Sequence, residues 1–152
     1  MDLKELLKKR EKAIELKTEK ETLRFTLTNY KDTTFVLKVP NANIVLVYLK
    51  KMGIKDFSLN QEALTKMFIE KLSQKSTEVP TCEFIFNCFV EPNFTELASE
   101  LMVELKVKSR TEILKSFFNF DEITEILTLV IKRVGENFNS TQKQSVVELK
   151  KK

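Results

Sequence analysis

The sequence predicts a mainly α fold, a single helical domain with an N-terminal β-hairpin. Three observations predict it. Apolar residues recur every three or four positions through most of the chain, which is the helical period. Two short runs, 22–28 and 33–39, alternate apolar and polar instead, which is the strand period. At about 150 residues per domain, a chain of 152 residues makes one domain and can bury a sizeable core. The expected division is a charged N-terminal helix over 1–21, a main domain over 22–138 and a flexible C-terminal tail over 139–152. Within the main domain the hairpin takes 22–39 and the helices 43–135.

Each element has its own signal. Residues 2–21 place Leu3, Leu6, Leu7, Ala13 and Ile14 near one helix face, with Arg10 and Lys17 interrupting the stripe. This reads as a solvated helix, or as an arm that packs on a neighbouring copy or partner. Thr22–Thr28 and Thr33–Val39 flank the turn residues Asn29–Asp32, so Leu23, Phe25 and Leu27 lie beside Phe35, Leu37 and Val39. A lone hairpin is marginal in water, so that face needs cover from helices or another chain. Pro40 ends the second strand. Asn41 or Asn43 caps a helix through Ile44, Leu46, Val47, Tyr48 and Met52, and Gly53 takes the left-handed position after it. Ser58–Gln61 forms a capping-box pattern before a helix carrying Leu64, Met67, Phe68 and Leu72.

Beyond Pro80 and Thr81, Cys82–Val90 reads as a short helix apolar all round, the mark of a buried central element. Glu91-Pro92-Asn93 stops it. Asn93 or Thr95 restarts a helix with Leu97, Leu101, Met102 and Leu105. A capping box at Ser109–Glu112 opens a segment with Ile113, Leu114, Phe117 and Phe118. Asn119 then caps the clearest helix, through Ile123, Ile126, Leu127, Val130, Ile131 and Val134, and Gly135 is expected to close it. Of the twelve Phe, most of them expected in the core, three crowd at 117, 118 and 120, where one has no evident room inside.

The composition argues against most chemistry. With no His, the commonest general base and metal ligand is missing. Cys82 and Cys88 cannot make an ordinary four-ligand zinc site alone and have no imidazole to form a thiolate, so they read as reduced, buried small hydrophobes. Acid pairs such as Glu96 and Glu100 sit at helical spacing on a wet face. Gly53 and Gly135 are the whole glycine complement, too few for a phosphate loop. No catalytic, cofactor-binding or metal-binding residue is therefore expected, and the chain is not read as an enzyme. No apolar run reaches a membrane span and the N-terminus has no apolar signal core, so the expected location is the cytosol, away from any membrane.

Two readings remain. Lys8, Lys9, Arg10 and Lys12, with Lys150–Lys152, form two small basic clusters. They would support weak, salt-sensitive binding as a small nucleic-acid-binding accessory protein. Against this, the net charge is only +4 and acids interleave with bases, the pattern of a solubilising surface. The favoured reading is protein–protein recognition, through strand edges or apolar helix faces.

The segment Phe89-Val90-Glu91-Pro92-Asn93-Phe94 resembles the Val-Glu-Pro-Asn-Leu segment of phage tail assembly chaperones, especially those of Gram-positive phages and phage-like tail bacteriocins. The resemblance extends over most of 22–138. That family has a hairpin and an apolar helix before the segment, then a short helix, a capped turn and a final amphipathic helix ending in Gly and an aromatic, here Gly135 and Phe138. Where the family often opens its last helix with Pro-Gly-Glu-Ile, this chain has Phe120-Asp121-Glu122-Ile123, so charge at Asp121 replaces a preorganised proline.

The resemblance implies a non-enzymatic chaperone of the host bacterial cytoplasm. Such a protein coats the tape-measure protein, self-associates, and is absent from the finished particle. It also implies contact with the tail-tube protein through a longer frameshifted product, with which Lys150-Lys151-Lys152 is compatible as an A-rich slippery site. Glu91, Pro92, Asn93 and Gly135 take the family's structural positions. Phe25, Leu27, Phe35 and Leu37 on the hairpin, with Val47 and Tyr48 on the next helix, are the expected partner-binding residues.

Overall fold

The computed structural model describes residues 1–54, 66–67, 69–71 and 73–150, with Ala42 and 138–150 described by their backbone alone. The fold is mainly α with an N-terminal hairpin that belongs to a small antiparallel sheet. The expected capping box at Ser58–Gln61, and Leu64, Phe68 and Leu72 of the helix after it, lie outside the described residues, although 66–67 and 69–71 are helical.

Helix α1 spans Leu3–Glu21 and starts on Asp2, whose side chain accepts from Glu5 N. It runs directly into β1 (Thr22–Leu27), which turns back as β2 (Tyr30–Lys38). Leu23 stands opposite Leu37 and Phe25 opposite Phe35, the cross-strand pairs that the alternation demands. Tyr30–Asp32, expected in the connecting loop, belong to β2, because Leu27 pairs with Tyr30 across an irregularity after Phe25. Helix α2 (Ala42–Lys51) is capped by the Asn41 side chain and ends on Gly53 at φ 79°, a left-handed conformation that glycine adopts without steric cost.

The central helix α3 covers Glu78–Cys88 rather than Cys82–Val90. Pro80 lies in its first turn, where the missing N–H breaks no helical bond. Phe89–Glu91 leaves the helix as strand β3 and pairs antiparallel with β2, Leu37 opposite Phe89 and Val36 opposite Glu91. The sheet order is β1-β2-β3, so the third strand comes from the helical half of the chain. The Glu91–Pro92 peptide is cis, and Asn93 accepts from Glu96 N to cap α4 (Phe94–Leu105). Lys106 ends α4 in the left-handed region at φ 57°.

Helix α5 (Arg110–Phe117) opens on Ser109, which accepts from Glu112 N. The Glu112 carboxylate returns to Lys108 N, one residue short of the full capping box. Helix α6 opens on a reciprocal pair: Glu122 N donates to Asn119 Oδ1, and Asn119 N donates to Glu122 Oε1. It runs Phe120–Lys150, so Gly135 does not close it and the backbone of 139–150 is helical. Gly135 is not in the left-handed region. After it the chain carries no further Gly or Pro, so nothing local stops the hydrogen-bond ladder.

The core fills the space between the sheet and the helices. Phe86, Phe94, Leu37, Ile85, Ile113, Leu114, Ile126 and Leu127 are fully buried. Each such side chain contributes about 1.5–3 kcal/mol relative to exposure. Phe35, Phe89, Phe94 and Phe118 form a connected ring cluster, with centroids 4.8–6.4 Å apart, that ties β2 and β3 to α4 and the end of α5. Phe120 is the member of the 117–120 group left outside.

Candidate functional site

The two thiols and the Tyr48 phenol are buried. Cys82 and Cys88 are free and buried. Burial pushes the Cys82 thiol up to about 11 and the Cys88 thiol up to about 12, so both stay protonated at neutral pH. Burial likewise raises the Tyr48 phenol. Thr81 Oγ1 lies 2.7 Å from the Tyr48 hydroxyl, within hydrogen-bond distance, and 3.4 Å from Met52 Sδ. Lys115 Nζ pairs with Glu78 Oε1 at 2.7 Å beside an open cleft of about 470 Å³ floored by Cys82, Phe118 and Ile123. That hydrogen bond raises the Lys115 amine. Among the described residues, no group of three or more Cys, Asp or Glu could hold a metal ion, and no helix is long and apolar enough to cross a membrane.

The expected partner-binding residues separate into two sets. Leu27, Phe35, Leu37 and Tyr48 are buried in the core and have no surface to offer a partner. The apolar hairpin face is covered by this chain's own helices, because the aromatic cluster of α4 and α5 packs on Phe35. Phe25 is half-buried, stacked on Phe35 at 5.7 Å. Val47 is 55% exposed and is the one member of the set standing clear of the core. In the motif, Glu91 is a β3 residue, Pro92 follows it across the cis bond, and Asn93 is a cap. Gly135 lies inside α6.

Val47 does not stand alone. Val45, Tyr48, Leu49 and Met52 form the buried side of α2, at spacings of 3, 1 and 3. The outward side carries Val47 one turn from Ile44, which is 51% exposed, with Lys50 and Lys51 beside Val47, while Leu46 is exposed on the other flank. This is an exposed apolar pair, Ile44 and Val47, among lysines on a helix anchored by its other face. A second apolar surface lies on α1, where no residue is buried and Leu3, Leu6, Leu7, Ile14 and Leu16 are all exposed.

Compared with protein-family models, curated proteins and solved structures, the chain matches none.

Proposed function

We propose that this protein is a non-enzymatic chaperone of phage or phage-like tail assembly, which covers apolar surface on the tape-measure protein in the host cytoplasm and self-associates. The observation that carries the reading is the outward side of α2, where Ile44 and Val47 stand exposed one turn apart beside Lys50 and Lys51. The motif at 89–94 and the element order of 22–138 support the choice of client. A tape-measure protein is a long helix whose apolar stripes precede the tube that will cover them. An amphipathic helix with acidic flanks fits the outward side of α2 in both apolarity and charge. Ten residues of α2 cover about 15 Å of such a client, so each copy binds weakly and many copies act by avidity. Release one copy at a time, as tail-tube subunits arrive, follows from the same weakness. A longer frameshifted product would bring the tail-tube protein to the same assembly.

The test is co-expression with a tape-measure fragment. A soluble co-complex is expected, lost in the Val47→Asp protein and in the Ile44→Asp protein while both keep the thermal midpoint of the parent. A fragment that stays insoluble, or a co-complex indifferent to both substitutions, overturns the reading.

A further inference from the structure

We infer that β1 is an open strand edge that pairs antiparallel with β1 of a second copy about a two-fold axis. This rests on the self-association in the reading above and names the surface that performs it; the outward side of α2 is not involved.

β1 is an edge strand, with β2 on one side and no strand on the other among the described residues. Val39 N donates to Glu21 O at 2.6 Å, in line with the pairs Leu23–Leu37 and Phe25–Phe35. The odd-numbered residues of β1 therefore turn their N–H and C=O groups toward β2, and the even-numbered ones turn theirs outward. At Thr22 both outward groups are bonded: the N–H donates to Glu19 O, and the C=O accepts from Arg133 Nη1 at 3.1 Å. At Arg24 and Thr26 the outward groups have no partner among the described residues, and both residues are exposed. On the core side of the same strand Phe25 is only half-buried, between buried Leu23 and Leu27, so the apolar cover stops short at this edge. No proline and no inward-pointing charge guards it, the devices that commonly blunt an edge. The opposite edge differs, because β3 is only Phe89–Glu91 and Pro92 ends it.

Free backbone donors and acceptors in a row call for an extended chain, and the half-covered Phe25 calls for one with apolar residues on the core face. β1 itself is such a chain, since Leu23, Phe25 and Leu27 alternate with Thr22, Arg24 and Thr26. The register follows from which groups are free. A pairing centred on Leu23 or Arg24 calls on Thr22, whose groups are taken, and the second also sets Arg24 directly against Arg24. A pairing centred on Thr26 carries Arg24 past the end of the other β1, which stops at Leu27. The pairing centred on Phe25 avoids all of this. It sets Arg24 opposite Thr26 of the other copy, with a hydrogen bond in each direction, and two-fold symmetry repeats the pair. Phe25 then meets Phe25 on the core face, and Leu23 lies beside Leu27 of the other copy. The two Arg24 side chains stand diagonally on the outer face, splayed into water. The other copy's hairpin turn falls beside a hollow of about 650 Å³ between α1 and Thr22, lined also by Ile14 and Arg133. The contact is a single strand pair, at the small end of specific interfaces, so the dimer is weak and reversible.

Sedimentation velocity on the full chain, without any tape-measure fragment, tests this from about 1 µM to about 500 µM. A monomer–dimer equilibrium is expected. Thr26→Pro removes an outward donor and no bond to β2, so it keeps the parent's circular dichroism while the dimer weakens about a hundredfold. Arg24→Thr removes the diagonal repulsion and tightens the dimer about threefold. An equimolar mixture of the Arg24→Cys and Thr26→Cys proteins forms a disulfide-linked dimer under mild oxidation, and neither protein does so alone. Cys82 and Cys88 are buried and take no part. A chain monomeric at the highest concentration overturns the proposal. So does a dimer indifferent to a folded Thr26→Pro protein, or an Arg24→Cys protein that cross-links to itself. Should Thr26→Pro not fold, the cysteine mixture and Arg24→Thr decide by themselves. Loss of tape-measure binding with the dimer intact would instead count against the client assignment.

Discussion

The Tyr30 hydroxyl donates to the carbonyl oxygen of Phe117 at 2.5 Å. The two residues are 87 positions apart, one at the start of β2 and the other at the last turn of α5. A terminal helix carbonyl has no partner within its own helix, and Tyr30 supplies one. The Tyr30 ring meanwhile packs edge-on against Phe35 and Phe118, at 5.5 and 5.7 Å. Tyr30→Phe keeps the ring and removes the donor. The expected cost is about 1–2 kcal/mol, read in urea as a lower midpoint with an unchanged slope.

At the start of α6, Asn119 and Glu122 exchange hydrogen bonds, but the two are not equivalent. Asn119 Oδ1 satisfies an otherwise orphaned N–H, and Asn119→Ala is expected to cost about 1–2 kcal/mol. Glu122 accepts through Oε1 while its Oε2 is buried with no hydrogen-bond partner among the described residues. Glu122→Ala loses one bond and also relieves that unsatisfied atom, so it is expected to cost less than Asn119→Ala. Thermal unfolding of the two variants side by side decides the order.

Two helices end on the same backbone motif with different residues. Ile54 N donates to Leu49 O past Gly53, and Val107 N donates to Met102 O past Lys106. Glycine occupies the left-handed position at the first and lysine at the second. Lys106→Gly is expected to stabilise by about 0.5–1 kcal/mol, the relieved backbone strain outweighing the added chain entropy. Gly53→Ala is expected to destabilise by about 1 kcal/mol. A matched pair of chemical denaturation curves gives both signs.

The cysteines set an alkaline limit. In the unfolded chain the thiols ionise near pH 9, whereas the folded chain holds them protonated to about 11 at Cys82 and about 12 at Cys88. The folded state therefore binds more protons over that window, and stability falls as pH rises through it. Below pH 9 the two thiols contribute no pH dependence. Stability measured from pH 7 to 11 is expected to be flat and then to decline. A thiol-specific reagent at pH 8 is expected to label neither cysteine until denaturant is added.

The parts of this fold legible in the sequence are those governed by local periodicity and caps. The pairing of Leu23 with Leu37 and of Phe25 with Phe35 follows from two period-2 runs, and Asp2, Asn41, Asn93, Ser109 and Asn119 act where short polar side chains precede apolar runs. What failed depended on distant partners. Phe89–Glu91 continues the apolar run of α3, and only the presence of β2 makes a strand the better use of its backbone. Gly135 looks like a stop because glycine often is one, but a stop needs the left-handed conformation, and the chain does not take it there. The surface residues failed for a related reason. Alternation marks Leu27, Phe35 and Leu37 as needing cover without saying whose, and this chain supplies it. On α2 the expected pair Val47 and Tyr48 divides, Val47 exposed and Tyr48 buried, because adjacent helical residues face about 100° apart.

The bond from Arg133 to Thr22 spans 111 residues. At ordinary translation speeds that separation takes roughly 6–20 s to synthesise. For much of that interval the first two strands have been made while Phe89 and Phe118, destined to lie over Phe35, have not. The nascent polypeptide thus goes through a period of stickiness of its own.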